Sequence, residues 1–111
     1  MASNSDSLIA KLDELDRRFT EVTELMNDPA VASDGQKIVA LAKEHASLGR
    51  IVNPYREYRG LAVQRDEAQE ILDASEGDPD LKELASAEID DLRHQTDEAL
   101  ETVKGLLVMS D

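Results

Sequence analysis

Leu72-Asp73-Ala74-Ser75-Glu76-Gly77-Asp78-Pro79-Asp80-Leu81-Lys82-Glu83-Leu84-Ala85 is the stretch that decides the fold. Gly77 is the residue type that ends helices, Asp78 can cap a new one, and Pro79 suits a first helical position, where a missing N–H costs nothing. One helix therefore stops and another starts within a few residues. So short a connection folds the chain back on itself as an antiparallel helical hairpin.

Working outward, Leu81, Leu84, Ala85, Leu92, Ala99, Val103 and Leu106 recur at helical spacing and predict a helix over 79–109. Glu88 and Gln95 are polar gaps in this stripe, and Ile89 and Leu100 widen it on one flank. Before the turn, Tyr55, Tyr58, Leu61, Ala62, Ala68 and Leu72 predict a helix over 54–75, entered through Asn53-Pro54 as cap and first position. Arg65 interrupts that stripe; its long side chain can bury the stem and keep the charge wet.

Further upstream, Ile38, Leu41, Ala42, His45 and Leu48 predict a shorter helix over 35–49, which Gly49 weakens at its end. Ser33 and Asp34 offer its cap, with Gln36 three residues after Ser33 as in a capping box. The opening helix spans 7–27 on Leu8, Leu12, Leu15, Phe19, Val22 and Met26, spaced alternately four and three apart. Asp6 or Ser7 caps it, Asn27-Asp28-Pro29 stops it, and 29–32 reads as a connection.

The expected architecture is an all-α, elongated bundle of four helices in a single helical domain, 1–111, the last two helices forming the hairpin. A helix of 31 residues extends ~46 Å at ~1.5 Å each, against roughly 34 Å across for a compact domain whose radius of gyration is near 13 Å. Leu12, Leu15, Phe19, Leu41, Leu61, Leu72, Leu84 and Leu92 are expected to be largely buried. No run alternates strictly enough for a strand.

Composition excludes several classes. Leu, Ile, Val and Phe make up 27 of 111 residues, above the ~20% below which a highly charged chain stays unfolded. With no Cys there is no disulfide framework, thiolate nucleophile or Cys-ligated zinc. Apolar runs such as 38–42 and 106–109 fall far short of the ~20 residues that span a bilayer, which predicts a soluble, cytoplasmic chain. The net charge is −13: residues 1–53 carry 6 basic and 9 acidic side chains, 54–111 carry 6 and 16, so the second part holds −10. Such a chain lacks the basic stripe that displaces counterions from phosphates, and no direct nucleic-acid binding is expected.

No catalytic, cofactor or metal residue emerges. The ten acids between Glu76 and Glu101 read as a solvated helix face, whereas catalytic carboxylate pairs need a dry pocket. Asp91 and His94 stand one turn apart, a spacing that helical metal sites use, but the other histidine, His45, has Ala42 three residues earlier. Gly35, Gly49, Gly60, Gly77 and Gly105 are scattered singly, so no phosphate loop exists. Tyr55-Arg56-Glu57-Tyr58-Arg59 interleaves aromatics and bases and could stack on nucleobases; alternatively the tyrosines pack inward and leave Arg56 and Arg59 outside.

Taken in order, Leu12-Asp13-Glu14-Leu15, Met26-Asn27-Asp28-Pro29, Ser33-Asp34 before Ala42-Lys43-Glu44-His45-Ala46, Ile51-Val52-Asn53-Pro54-Tyr55-Arg56-Glu57-Tyr58 and Asp78-Pro79-Asp80-Leu81-Lys82-Glu83-Leu84-Ala85, with a Leu106-Leu107-Val108 end, resemble one family. It is the N-terminal helical domain of bacterial class I peptide chain release factors, over about 8–108, and closer to the type reading UAA and UAG. The resemblance implies an accessory domain of a translation termination factor, not an enzyme in itself. It also implies a longer protein, whose decoding tripeptide and Gly-Gly-Gln loop lie past Asp111; Gly35-Gln36 follows Asp34 and is not that loop. Implied partners are the ribosome, at the stalk base of the large subunit, the class II release factor GTPase and the release-factor glutamine methyltransferase. Implied cofactors are none. The acidic balance suits a protein-facing arm better than an rRNA-facing one.

Two other readings compete. One is a free-standing acidic helical adaptor or coiled-coil scaffold, and the other a small metal-dependent bundle enzyme. A downstream Gly-Gly-Gln in the parent gene separates the first reading from the adaptor.

Overall fold

The computed structural model describes residues 4–110. Its elements are α1 (Asn4–Met26), α2 (Pro29–Ala32), α3 (Gly35–Ala74) and α4 (Pro79–Met109), and no strand occurs among the described residues. The chain divides into two compact units at Asn53 and Pro54, the same place at which the charge balance changes.

In the first unit, α1 begins at Asn4, earlier than the expected 7, so Asp6 lies in its first turn instead of capping it. Leu12, Phe19 and Val22 are buried and Leu8, Leu15 and Met26 half-buried, as their spacing requires. The expected connection 29–32 is a one-turn helix. Asp28 is its N-cap, with Oδ1 accepting from the Ala30 N–H at 2.9 Å, and Pro29 stands at the first position. The chemistry matches that of Asp78-Pro79. Ser33 forms no capping box, because its hydroxyl donates back to the Ala30 carbonyl; Asp34 caps α3 by accepting from the N–H groups of Gln36 and Lys37, each at 3.2 Å.

Helix α3 corrects the sequence reading most strongly. Instead of separate helices over 35–49 and 54–75, one helix of 40 residues runs through Gly49 and carries Pro54 in its interior. An interior proline leaves the Arg50 carbonyl without its usual donor and crowds the preceding turn, at about 3 kcal/mol. Ile51, Val52 and Tyr55 flank it and are 5%, 0% and 1% exposed. Burying each such side chain is worth roughly 1.5–3 kcal/mol, so together they outweigh the proline and keep the helix continuous.

The second unit is an antiparallel hairpin of the second half of α3 and α4, centred on Ala68, Ile89 and Leu92, with Leu61 and Leu72 half-buried against them. Its turn follows the expected chemistry. Ser75 donates through both its N–H and its hydroxyl to the Leu72 carbonyl. Gly77 takes φ 90°, a conformation that costs any L side chain, and Asp78 Oδ1 accepts from the Leu81 N–H at 3.1 Å.

Leu92 is buried, but the phase of α4 differs in detail from the sequence reading. Ala85, Ile89, Leu92, Thr96 and Val103 form the inward stripe, so Ile89 and Thr96 occupy the places assigned to Glu88 and Gln95. Leu84, expected in the core, is 70% exposed and Leu81 43%. At ~100° per residue, Leu84 lies about 80° from Leu92 around the helix and Ala85 only about 20°. Leu15, Leu41, Leu61 and Leu72, expected to be largely buried, are only half-buried. Thr96 is accommodated because its hydroxyl donates to the Arg93 carbonyl at 2.9 Å and meets Arg65 Nη1 at 3.5 Å. Arg65 is half-buried, and its guanidinium, expected in water, reaches this buried hydroxyl.

Candidate protein-contact surface

An ion pair that the sequence reading did not single out joins α1 to α3. On α1, Arg18 forks onto Glu44 of α3, Nε to Oε2 at 2.6 Å and Nη2 to Oε1 at 2.8 Å, while its Nη1 reaches Glu21 Oε1 at 2.8 Å. Hydrogen bonds from Arg18 hold the Glu44 carboxyl below the usual carboxylate range, against a smaller opposing effect of desolvation. The residues lie 26 apart in sequence, and nothing in the local pattern announces the pair. Beside it, the Phe19 ring stacks on the half-buried His45 with centroids 4.5 Å apart. His45 thus packs against a ring, not against a carboxylate cluster.

His94 and Asp91 are engaged separately. His94 Nε2 lies 3.1 Å from Glu98 Oε1, and Gln95 donates to Asp91 at 3.0 Å. Among the described residues, no group of three or more His, Asp or Glu is placed to hold a metal ion. Tyr55 is 1% exposed, with the Tyr58 ring 6.1 Å away and the Arg59 guanidinium 5.8 Å from its centroid. A ring already buried offers no face to a nucleobase, so of the two readings of this segment the packed one holds for Tyr55.

The ten acids from Glu76 to Glu101 are all exposed. They follow from the phase of α4: once Ala85, Ile89, Leu92, Thr96 and Val103 turn inward, Glu83, Asp90, Asp91, Asp97, Glu98 and Glu101 must turn out. Exposed to water, they do not line the dry pocket that paired catalytic carboxylates need. What they build is a strongly negative exposed surface. No helix among the described residues is long and apolar enough to cross a membrane.

Fold and surface together define an all-helical chain whose second unit is a helical hairpin with a strongly acidic exposed surface. The chain belongs to the PCRF domain family, whose model matches residues 15–111. It is similar to peptide chain release factor 1 of an Anaeromyxobacter species, 40% identical over 107 residues that cover 96% of this chain and 28% of that protein. The factor of the same name from Bacteroides fragilis is 39% identical over the whole chain and 30% of its own length, and that from Desulforudis audaxviator 36% identical over 94% of the chain and 29% of its length. The chain thus spans less than a third of the curated relatives it matches. No solved structure matches it.

Proposed function

We propose that this chain is the N-terminal accessory domain of a translation termination factor of the UAA- and UAG-reading type, acting as one non-catalytic domain of a longer, cytoplasmic protein. The observation that carries this reading is the PCRF match over 15–111 with relatives named peptide chain release factor 1. The 111 residues contain no Gly-Gly-Gln; in this reading codon recognition and hydrolysis belong to other parts of the factor. The domain contributes contacts on the ribosome, at the stalk base of the large subunit, and offers a surface to the class II release factor GTPase and to the glutamine methyltransferase. The exposed acids of α4 support protein over RNA as what it touches, since like charges repel phosphates.

The test is peptide release from ribosomes halted at a stop codon. The purified chain should release nothing, and a parent factor lacking this segment should retain measurable codon-dependent release. Release stimulated by the chain alone would sink the proposal.

A further inference from the structure

Near the turn of the hairpin, two adjoining hollows open to solvent, lined mostly by α4 and, in the larger, also by Leu72 of α3. The larger, about 550 Å³, is lined by Leu72, Pro79, Lys82, Ser86, Ala87 and Asp90, with Glu83 at its edge. The smaller, about 320 Å³, shares Glu83 and Ala87 and adds Asp80 and Leu84. Both have largely apolar walls open to solvent. Leu84, at 70% exposure, belongs to the lining of the smaller one. A large apolar side chain left in water beside small residues such as Ser86 and Ala87 makes a groove that another helix can approach closely.

We infer that this groove on α4 is a docking site for a basic amphipathic helix of a partner protein. Charge selects the occupant. Asp80, Glu83 and Asp90 border the hollows against one cation, Lys82, and residues 54–111 carry −10. A second copy of this chain would bring the same negative face. RNA and anionic lipid would bring phosphates. Each meets repulsion, whereas a helix with Leu-type anchors at one-turn intervals and Lys or Arg on its flanks fills the apolar floor and pairs the rim. Leu84, 70% exposed in the lining of the smaller hollow, is the apolar contact that a partner helix covers.

This inference deepens the protein-contact part of the proposed function, and its test needs no ribosome, so the two can fail separately. The probe is a synthetic amphipathic peptide of about 18 residues, five helical turns, with Leu on one face and Lys on its flanks; its counterpart carries Glu for Lys. Titrated into the isotopically labelled 111-residue chain, the Lys peptide should shift amide resonances of Leu72 and residues 80–90, and the Glu peptide should not. Leu84→Ser, harmless to folding because the side chain is exposed, should weaken Lys-peptide binding by about tenfold. D97N/E98Q, on the same helix but away from the groove, should change it less than about twofold. Helical circular dichroism of each variant confirms that the fold is intact. Equal losses from the two variants, shifts spread along the whole acidic face, equal binding of the Glu peptide, or self-association through residues 80–90 would each overturn the inference.

Discussion

Leu92→Ala and Leu84→Ala make the same chemical change on the same helix and should differ sharply in cost. Leu92 is 5% exposed and packs with Ala68 and Ile89, with Leu61 and Leu72 at the margin. Truncation removes three carbons, about 2.4 kcal/mol at ~0.8 kcal/mol per buried methylene, to which the residual cavity adds. Because Leu61 and Leu72 are only half-buried, they can lean into the space, which keeps the total near 2.5–3.5 kcal/mol, in the lower half of the ~2–5 kcal/mol range for such changes. Leu84 at 70% exposure should cost under about 0.5 kcal/mol. Urea denaturation followed by circular dichroism at the helical band measures both, with the slope of free energy on urea unchanged if only stability has moved. A Leu92→Ala cost below about 1 kcal/mol, or equal costs at the two positions, would refute the packing described for α4.

Three further outcomes are expected. Pro54→Ala restores a donor for the Arg50 carbonyl and relieves the crowding, offset by ~0.4–1 kcal/mol of extra freedom in the unfolded chain, so it should stabilise by about 2–2.5 kcal/mol; a loss of stability would show that the proline is needed where it stands. Glu44→Gln should weaken the fold near neutral pH. Since the Glu44 carboxyl is held low in the folded state, its contribution is present above the unfolded value of about 4.3 and disappears as pH falls through the lower folded value, so denaturation curves of variant and parent should converge in acid; a constant gap at all pH would contradict the Arg18 fork. Changing Asp90, Asp91, Asp97 and Glu98 together to Lys, all exposed positions, should leave the helical spectrum intact and produce RNA binding that declines with salt in a filter assay; no gain in RNA binding would mean that the acidic face does not act as a shield.

Local chemistry was sufficient for much of this molecule. The helical period of α1 and α4, the stop at Asn27, the turn through Gly77 and the start at Pro79 each rest on residues within a turn or two of one another, and all were legible in the chain itself. The α4 boundaries, 79–109, coincide with the structure because both ends are set by such local signals. The exposed acidic face was legible for the same reason, since charge and period are both one-dimensional.

Other features depend on groups far apart in sequence. Asn53-Pro54 has every local mark of a helix start, yet α3 passes through it because burial of Ile51, Val52 and Tyr55 outweighs a backbone penalty of similar size to one such side chain. Ile89 and Thr96 displace Glu88 and Gln95 from the inner stripe because a stripe read from spacing leaves the rotation of a helix uncertain by about one residue, and only contact with Ala68, and with Arg65 at Thr96, selects the phase. That same rotation turns Leu84 out to water and creates the groove beside it. Sequence thus determined that this chain is helical, where α4 begins and ends and how the chain is charged; tertiary packing decided that α3 runs on through Pro54 and which side of each helix faces in, because burial energy depends on neighbours that the local pattern does not contain.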